Sequence, residues 1–71
     1  MKISARNQLP GKVISITHGV VNTEVGVELA PGMEITSIIT RGSAENLNLS
    51  VGQKIAVVIK ATNVMLGVDD S

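Results

Sequence analysis

The alternation of side chains between residues 21 and 29 constrains the fold of this chain more than any other feature. An apolar residue or a threonine stands at every second position there, and asparagine, glutamate or glycine stands at the positions between. Successive side chains of a β-strand point to opposite faces of a sheet, so this pattern predicts a strand with one buried face and one wet face. The cleanest pattern in the chain therefore predicts β structure.

Turn-forming residues divide the rest of the chain into further short strands. His18-Gly19 and Ala30-Pro31-Gly32 are the predicted turns, because proline followed by glycine favours a reversal of the chain. The other predicted strands cover residues 12–17, 34–40 and 53–62, with shorter ones at 3–6 and 64–68. Residues 1–68 are expected to form one domain, and residues 69–71 a disordered tail.

One short segment, residues 43–49, is expected to be helical. Ser43 is a good N-cap, Glu45 lies in the first turn, and Leu47 and Leu49 can face inward. Several short strands with one helical turn predict an all-β fold, a small barrel of the oligonucleotide-binding (OB) type. A small sandwich is the alternative architecture.

Size and composition indicate that this fold needs a second copy of the chain. The chain has 71 residues, and so short a chain buries only roughly 60% of its unfolded surface. Cysteine is absent and His18, predicted as a turn residue, is the single histidine, so neither disulfides nor a metal site is expected to help. Apolar residues stand side by side at 38–39 and 57–59, so both faces of those strands are apolar. One of these faces is expected to meet another copy.

Composition argues against nucleic-acid, membrane and catalytic functions. Six basic residues balance six acidic ones and aromatic residues are absent, whereas single-stranded nucleic acid is held on aromatic platforms above a basic groove. No apolar run approaches the roughly 20 residues of a membrane span, and no signal peptide begins the chain, so a cytoplasmic protein is expected. A catalytic nucleophile needs an activating base, and His18 stands alone, so no enzyme is expected.

Two segments, one near each end of the chain, place small hydroxyl residues and backbone amides beside a cation. Ser4 and Arg6 stand in the first segment, and Lys60 and Ala61 stand in the second. Arginine offers five donors in a planar fork, and lysine offers a compact ammonium. This combination is suited to holding a small oxyanion.

Five stretches of the chain, taken together, match one family. They are Ser4-Ala5-Arg6-Asn7-Gln8-Leu9, Gly11-Lys12-Val13, Ile35-Thr36-Ser37-Ile38-Ile39, Val51-Gly52 and Ile59-Lys60-Ala61-Thr62. They resemble the molbindins, small molybdate-binding proteins built of a single Mop domain, which is related to TOBE domains. The resemblance covers nearly the whole chain. It implies a five-stranded OB-like barrel, assembly into a hexamer as a trimer of dimers, and storage or buffering of molybdate inside the cell.

The resemblance also implies a set of ligand residues at an interface between subunits. One subunit would offer Ser4, Arg6, Lys60 and the backbone amide of Ala61, and its neighbour would offer Thr40 and Ser43. Gly19 and Val20 are weak candidates for a second site. No cofactor or resident metal is implied, since molybdenum enters only as the oxyanion. Tungstate has nearly the same size, shape and charge, so the sequence leaves the choice between the two ions open.

The sequence also leaves open what some of these residues do. Arg41-Gly42 precedes Ser43, where related chains more often carry a bulky apolar residue and an acid. Arg41 either adds positive potential near the anion or is a solvated loop charge. Each candidate ligand, taken alone, is also an ordinary strand, cap or surface residue. The alternative functions are an OB-like nucleic-acid-binding domain and a purely structural assembly domain.

Overall fold

Four strands, one short helix and one 3₁₀ turn make up the computed structural model, which describes residues 2–69. The elements in chain order are β1 (Asn7–His18), β2 (Asn22–Ala30), β3 (Met33–Thr40), α1 (Arg41–Asn46), β4 (Lys54–Ile59) and the 3₁₀ turn (Ala61–Asn63). The strands pair antiparallel in the order β3-β2-β1-β4. The predicted all-β class with one short helix is confirmed. The helices of the described chain are too short and too polar to span a bilayer.

The alternating pattern of β2 builds the core. Thr23, Val25 and Val27 on its inner face are at most 2% exposed, and Val13 of β1 is fully buried with the two valines. Partly buried side chains from all four strands and from the segment after α1 surround them. These are Ile16, Leu29, Ile35, Ile39, Leu49, Ile55 and Val57. The core is small and consists of β-branched and leucine side chains, since the chain has no aromatic residue.

Strand β1 is longer than the strand predicted over residues 12–17, because it belongs to two ladders. Residues 7–12 pair with β4, and residues 12–18 pair with β2. Lys12 is the one position of β1 that pairs on both sides. A register shift between Val13 and Ser15 marks the bend where β1 passes from one partner to the other. A bulge of this kind bends a strand and lets the sheet curl.

Pro10 and Gly11 lie within β1, although the sequence suggested that the strand begins after them. They stand in the half of β1 that pairs with β4 alone, so the proline's missing N–H leaves no gap in the ladder to β2. Gly11 is required by packing, because a Cβ there would lie 2.5 Å from Cγ1 of Val27. Gly11 therefore allows β1 to lie close against β2, and Pro10 is tolerated beside it.

Helix α1 begins earlier than predicted, and Ser43 is not its N-cap. Thr40, the last residue of β3, is extended and accepts a hydrogen bond from the backbone N–H of Ser43 at its Oγ1, with a distance of 3.1 Å. Threonine and serine are both good N-cap residues. Thr40 takes this position because β3 ends there with an extended backbone. The helix ends at Asn46, and Leu47, predicted to face inward, is 61% exposed.

The two short terminal strands predicted at 3–6 and 64–68 do not form. Residues 3–6 and 64–69 have no regular structure, and the predicted strand over 53–62 is confined to Lys54–Ile59. The sheet within residues 2–69 therefore has four strands rather than five and stays open between β3 and β4. A terminal segment forms a strand only where a partner edge meets it. The predicted disordered tail covers residues 69–71, and residues 70 and 71 lie outside the described residues.

Candidate functional site

A shallow pocket lies at the end of the ladder between β1 and β4. The last pair of that ladder is Asn7 opposite Ile59, so the residues just before Asn7 and just after Ile59 are brought together. The pocket is lined by Ser4, Ala5, Arg6, Val58, Lys60, Ala61, Thr62 and Asn63. The two segments that the sequence singled out, far apart in the chain, thus meet at one place.

Arg6 and Lys60 both line this pocket. Each is the residue immediately beyond the Asn7–Ile59 pair, one before β1 and the other after β4. Neither of them belongs to a salt bridge in the described part of the chain, where Arg41–Glu45 is the pair that forms. The pocket therefore concentrates two positive charges with no carboxylate of residues 2–69 to neutralise them.

The 3₁₀ turn adds backbone donors beside these charges. Within this turn, the N–H of Asn63 bonds to the carbonyl of Lys60 at 2.8 Å, and the N–H of Val64 bonds to that of Ala61 at 3.2 Å. The first N–H groups of a helical turn have no acceptor within the turn. The N–H of Ala61 comes before that of Asn63, the first N–H bonded within the turn, so it is available to a ligand at the pocket.

Thr40 and Ser43, the other two predicted ligands, lie at the junction of β3 and α1 and do not line this pocket. Their side chains bond to each other, with the hydroxyl of Thr40 donating to Oγ of Ser43 at 2.7 Å. Since Thr40 Oγ1 also accepts the N–H of Ser43, its hydroxyl is engaged twice. The hydroxyl hydrogen of Ser43 is the one left to donate outward.

Gly19 and Val20 form the turn between β1 and β2, also away from the pocket. The N–H of Gly19 donates to the carbonyl of Asn22 at 2.7 Å, and Val20 is 93% exposed. His18, the last residue of β1, holds Nδ1 2.9 Å from Oγ1 of the buried Thr23. The histidine therefore pairs with a side chain of the core at the edge of this turn.

Arg41 is engaged near the same turn. Its Nη1 donates to the carbonyl of Gly19 at 3.4 Å, and its Nε lies 3.4 Å from Oε1 of Glu45. Its backbone N–H donates to the carbonyl of Val21 at 2.8 Å. Arg41 thus fastens the start of α1 to the turn between β1 and β2.

Comparison with known proteins agrees with this architecture. The TOBE domain family matches residues 3–66. A probable molybdenum-pterin-binding protein of Haemophilus influenzae is 48% identical over 69 residues, covering 97% of this chain and 100% of that protein. The solved structure of MopII from Clostridium pasteurianum is 48% identical, with a TM-score of 0.87 over 94% of this chain and 100% of that one. The chain belongs to the molbindin family of TOBE-domain proteins.

A second solved structure matches this molbindin over only part of its own length. It is described as the cytoplasmic molybdate-binding protein ModG with molybdate bound, and it is 46% identical with a TM-score of 0.89. The match covers 97% of this chain and 49% of ModG, so the molbindin spans about half the length of ModG. The resemblance inferred from the sequence is confirmed at the level of family and fold.

The pocket of this molbindin includes residues that the sequence did not nominate as ligands. Ala5, Val58, Thr62 and Asn63 line it beside the predicted ones. Thr62 stood in a matching stretch without a role, and Asn63 lay outside every matching stretch. The 3₁₀ turn brings Asn63 back over Lys60, and no local pattern in the sequence signals that turn.

Proposed function

We propose that this molbindin binds molybdate, or the closely similar tungstate, and stores or buffers it in the cytoplasm. The observation that carries the proposal is the juxtaposition of Arg6 and Lys60 in one pocket with no neutralising carboxylate among residues 2–69. The relatives support it, because ModG is described as a cytoplasmic molybdate-binding protein. The relatives are named for binding, and we infer a binding role for this chain too, without catalysis or a cofactor.

The chemistry of the ion fits the pocket. Molybdate is a tetrahedral dianion with four acceptor oxygens, so it needs donors from several directions and about two positive charges. Arg6 and Lys60 supply the charges, and Ser4 and the N–H of Ala61 supply directed donors. A hydrogen bond to a charged group contributes roughly 1.5–3 kcal/mol, and micromolar affinity needs about 8 kcal/mol. A few such bonds, less the cost of desolvation, reach that value.

A neighbouring subunit supplies the remaining donors in this proposal. Four of the six proposed ligands line one pocket, while Thr40 and Ser43 lie elsewhere on the same chain. An ion in the pocket meets donors on its open side only if another copy presents them. Ser43 is suited to this, because its hydroxyl hydrogen is left over after its bonds with Thr40. Gly19 and Val20 stay weak candidates for a second site.

We infer a hexamer, a trimer of dimers, as the assembly that completes the site. The sheet is open between β3 and β4, and an apolar groove of about 360 Å³ lies between these edges. Large apolar side chains beyond the 3₁₀ turn are exposed, with Met65, Leu66 and Val68 each above 90%. A chain this small cannot cover both surfaces by itself, and a second copy provides the missing apolar cover.

The test is thermal unfolding of the full chain with molybdate, tungstate, sulfate and phosphate, alongside titration calorimetry. Molybdate and tungstate raise the melting temperature if they bind only the folded assembly. At a free ion concentration a hundred times the dissociation constant, binding adds about 2.7 kcal/mol to the free energy of unfolding. Phosphate, which is smaller and partly protonated at neutral pH, has a smaller effect. Equal stabilisation by all four ions would reduce the pocket to a generic anion patch, and a monomer by light scattering would remove the intersubunit site.

A further inference from the structure

Four charged residues form a line across the outer face of the sheet, one on each strand. Lys54 of β4 is opposite Lys12 of β1, Lys12 is opposite Glu28 of β2, and Glu28 is opposite Glu34 of β3. Across the sheet the order is therefore two lysines followed by two glutamates. We call this line the charge row.

The charge row lies on the side of the sheet away from the core. Val13 and Val27, the chain neighbours of Lys12 and Glu28, are buried, and successive side chains of a strand point to opposite faces. Lys12, Lys54 and Glu34 are exposed, and Glu28 is half-buried. None of the four belongs to a salt bridge with another described residue, since Arg41–Glu45 is the pair within 4.0 Å.

Two of the three neighbouring pairs in the charge row are unfavourable within one chain, and Lys12–Glu28 is the favourable one. Like charges directly opposite each other destabilise a sheet, and the charge row contains two such pairs, Lys12–Lys54 and Glu28–Glu34. Alternating signs would remove both repulsions. The observed order instead divides the outer face into a basic half and an acidic half.

We propose that the outer face bearing the charge row binds the same face of a second copy of this chain. A twofold axis between β1 and β2, parallel to the strands, reverses the row, so each lysine faces a glutamate of the other copy. Packed sheets lie about 10 Å apart, a gap that lysine and glutamate side chains bridge together. Because the sheet curls, Lys12 and Glu28 at its centre make the closest contacts, and the outer pair contributes less.

The surroundings of the charge row allow this approach. On the outer face, Pro10 and Ala56 flank it on one side, and Gly26 flanks it on the other together with Ile14 and Ser15 of the bulge. None of these side chains is longer than the lysine and glutamate side chains of the charge row, so none of them holds two copies apart. A self-complementary surface of this kind gives a closed, isologous contact.

This contact goes beyond the oxyanion site and is independent of it. None of the four charge-row residues lines the pocket at the end of the β1–β4 ladder. The contact also leaves the open edges of β3 and β4 to the interfaces proposed above. It adds an association between copies that responds to salt, because exposed charges are screened as ionic strength rises.

The experiment compares four forms of the full chain by sedimentation velocity at low salt. They are the wild type, K12E/K54E, E28K/E34K and the complete swap of all four charges. Each double variant faces like charges across the proposed axis, so its association is at least about tenfold weaker than that of the wild type. Mixing the two double variants restores association, and the complete swap restores it in a single chain.

The complete swap is the matched control, because it keeps the intrachain order of like pairs and reverses only their signs. A double variant that associates like the wild type would overturn the proposal, as would a complete swap that stays as weak as the double variants. Molybdate titrations on the same samples test the pocket separately. Weakened association of the double variants with retained molybdate binding is the expected combination, whereas a wild type that does not bind molybdate would count against the pocket alone.

Discussion

Arg41 and the pair Arg6–Lys60 are cations in two surface regions with opposite surroundings. Arg41 has a carboxylate, that of Glu45, and the carbonyl of Gly19 within 3.4 Å. Arg6 and Lys60 have each other and a set of donors in one pocket, with no carboxylate within salt-bridge distance in residues 2–69. Charge alone does not distinguish these residues in the sequence. What distinguishes them is whether the fold supplies an anionic partner, and the pocket is the place where it supplies none.

The largest expected effect comes from removing one cation of the pocket. Arg6→Ala or Lys60→Ala deletes a charge-assisted contact and leaves the oxyanion partly unpaired. We expect the binding free energy to fall by about 2–4 kcal/mol, or roughly thirty- to a thousandfold in affinity, in titration calorimetry with molybdate. Lys60→Arg should restore binding only in part, since a planar fork does not replace a compact ammonium.

Lys12→Ala is the control for this comparison, because it removes one positive charge without touching the pocket. Its molybdate affinity should stay close to that of the wild type. If Arg6→Ala or Lys60→Ala binds molybdate as the parent does, the site is misplaced.

A smaller effect distinguishes the two hydroxyls at the start of α1. Thr40→Ala removes the N-cap and should lower the free energy of unfolding by about 1 kcal/mol, measured by denaturant unfolding. Ser43→Ala keeps the backbone N–H that Thr40 caps and loses only the side-chain bond from the Thr40 hydroxyl to Ser43 Oγ. Its effect on the free energy of unfolding should therefore be smaller. In molybdate titration Ser43→Ala should cost about 1 kcal/mol, roughly fivefold in affinity. Unchanged affinity in Ser43→Ala would remove this residue from the proposed site.

The smallest effect is expected at Arg41. Its pair with Glu45 is exposed on both sides, at 50% and 65% of the side-chain surface, so solvent screens it strongly. Arg41→Ala should change the free energy of unfolding by no more than about 0.5 kcal/mol and the molybdate affinity by less than about threefold. A loss as large as that of Arg6→Ala would erase the contrast between the two regions and bring Arg41 into the site.

The sequence predicted those features that depend on local pattern. Strand β2 follows the alternation and β3 begins after the proline–glycine turn, and both agree with the predicted bounds to within one residue. The predicted start of β1 was wrong because Pro10 and Gly11 usually form turns. A strand tolerates them only where the side that they leave unpaired has no partner strand. The helix start was wrong because two good capping residues stand three positions apart.

The site was predictable only in part, for a related reason. Residue types and the family resemblance identified Ser4, Arg6, Lys60 and Ala61, and the structure brings these four to one pocket. Their meeting depends on the register of Asn7 opposite Ile59, a long-range pairing that no local pattern encodes. Asn63 enters the pocket through a 3₁₀ turn that has no clear sequence signal, so it was missed.

The division of β1 between two partners has a consequence for the order of folding. Its pairing with β2, and that of β2 with β3, joins neighbouring segments through short turns. Its pairing with β4 joins residues 7–12 to residues 54–59 and must close a loop through the rest of the domain. Loop-closure entropy makes this the slower step. The ladder that carries the pocket is therefore expected to be the least protected one, and hydrogen exchange should show amide protons of β4 exchanging with solvent before those of β2.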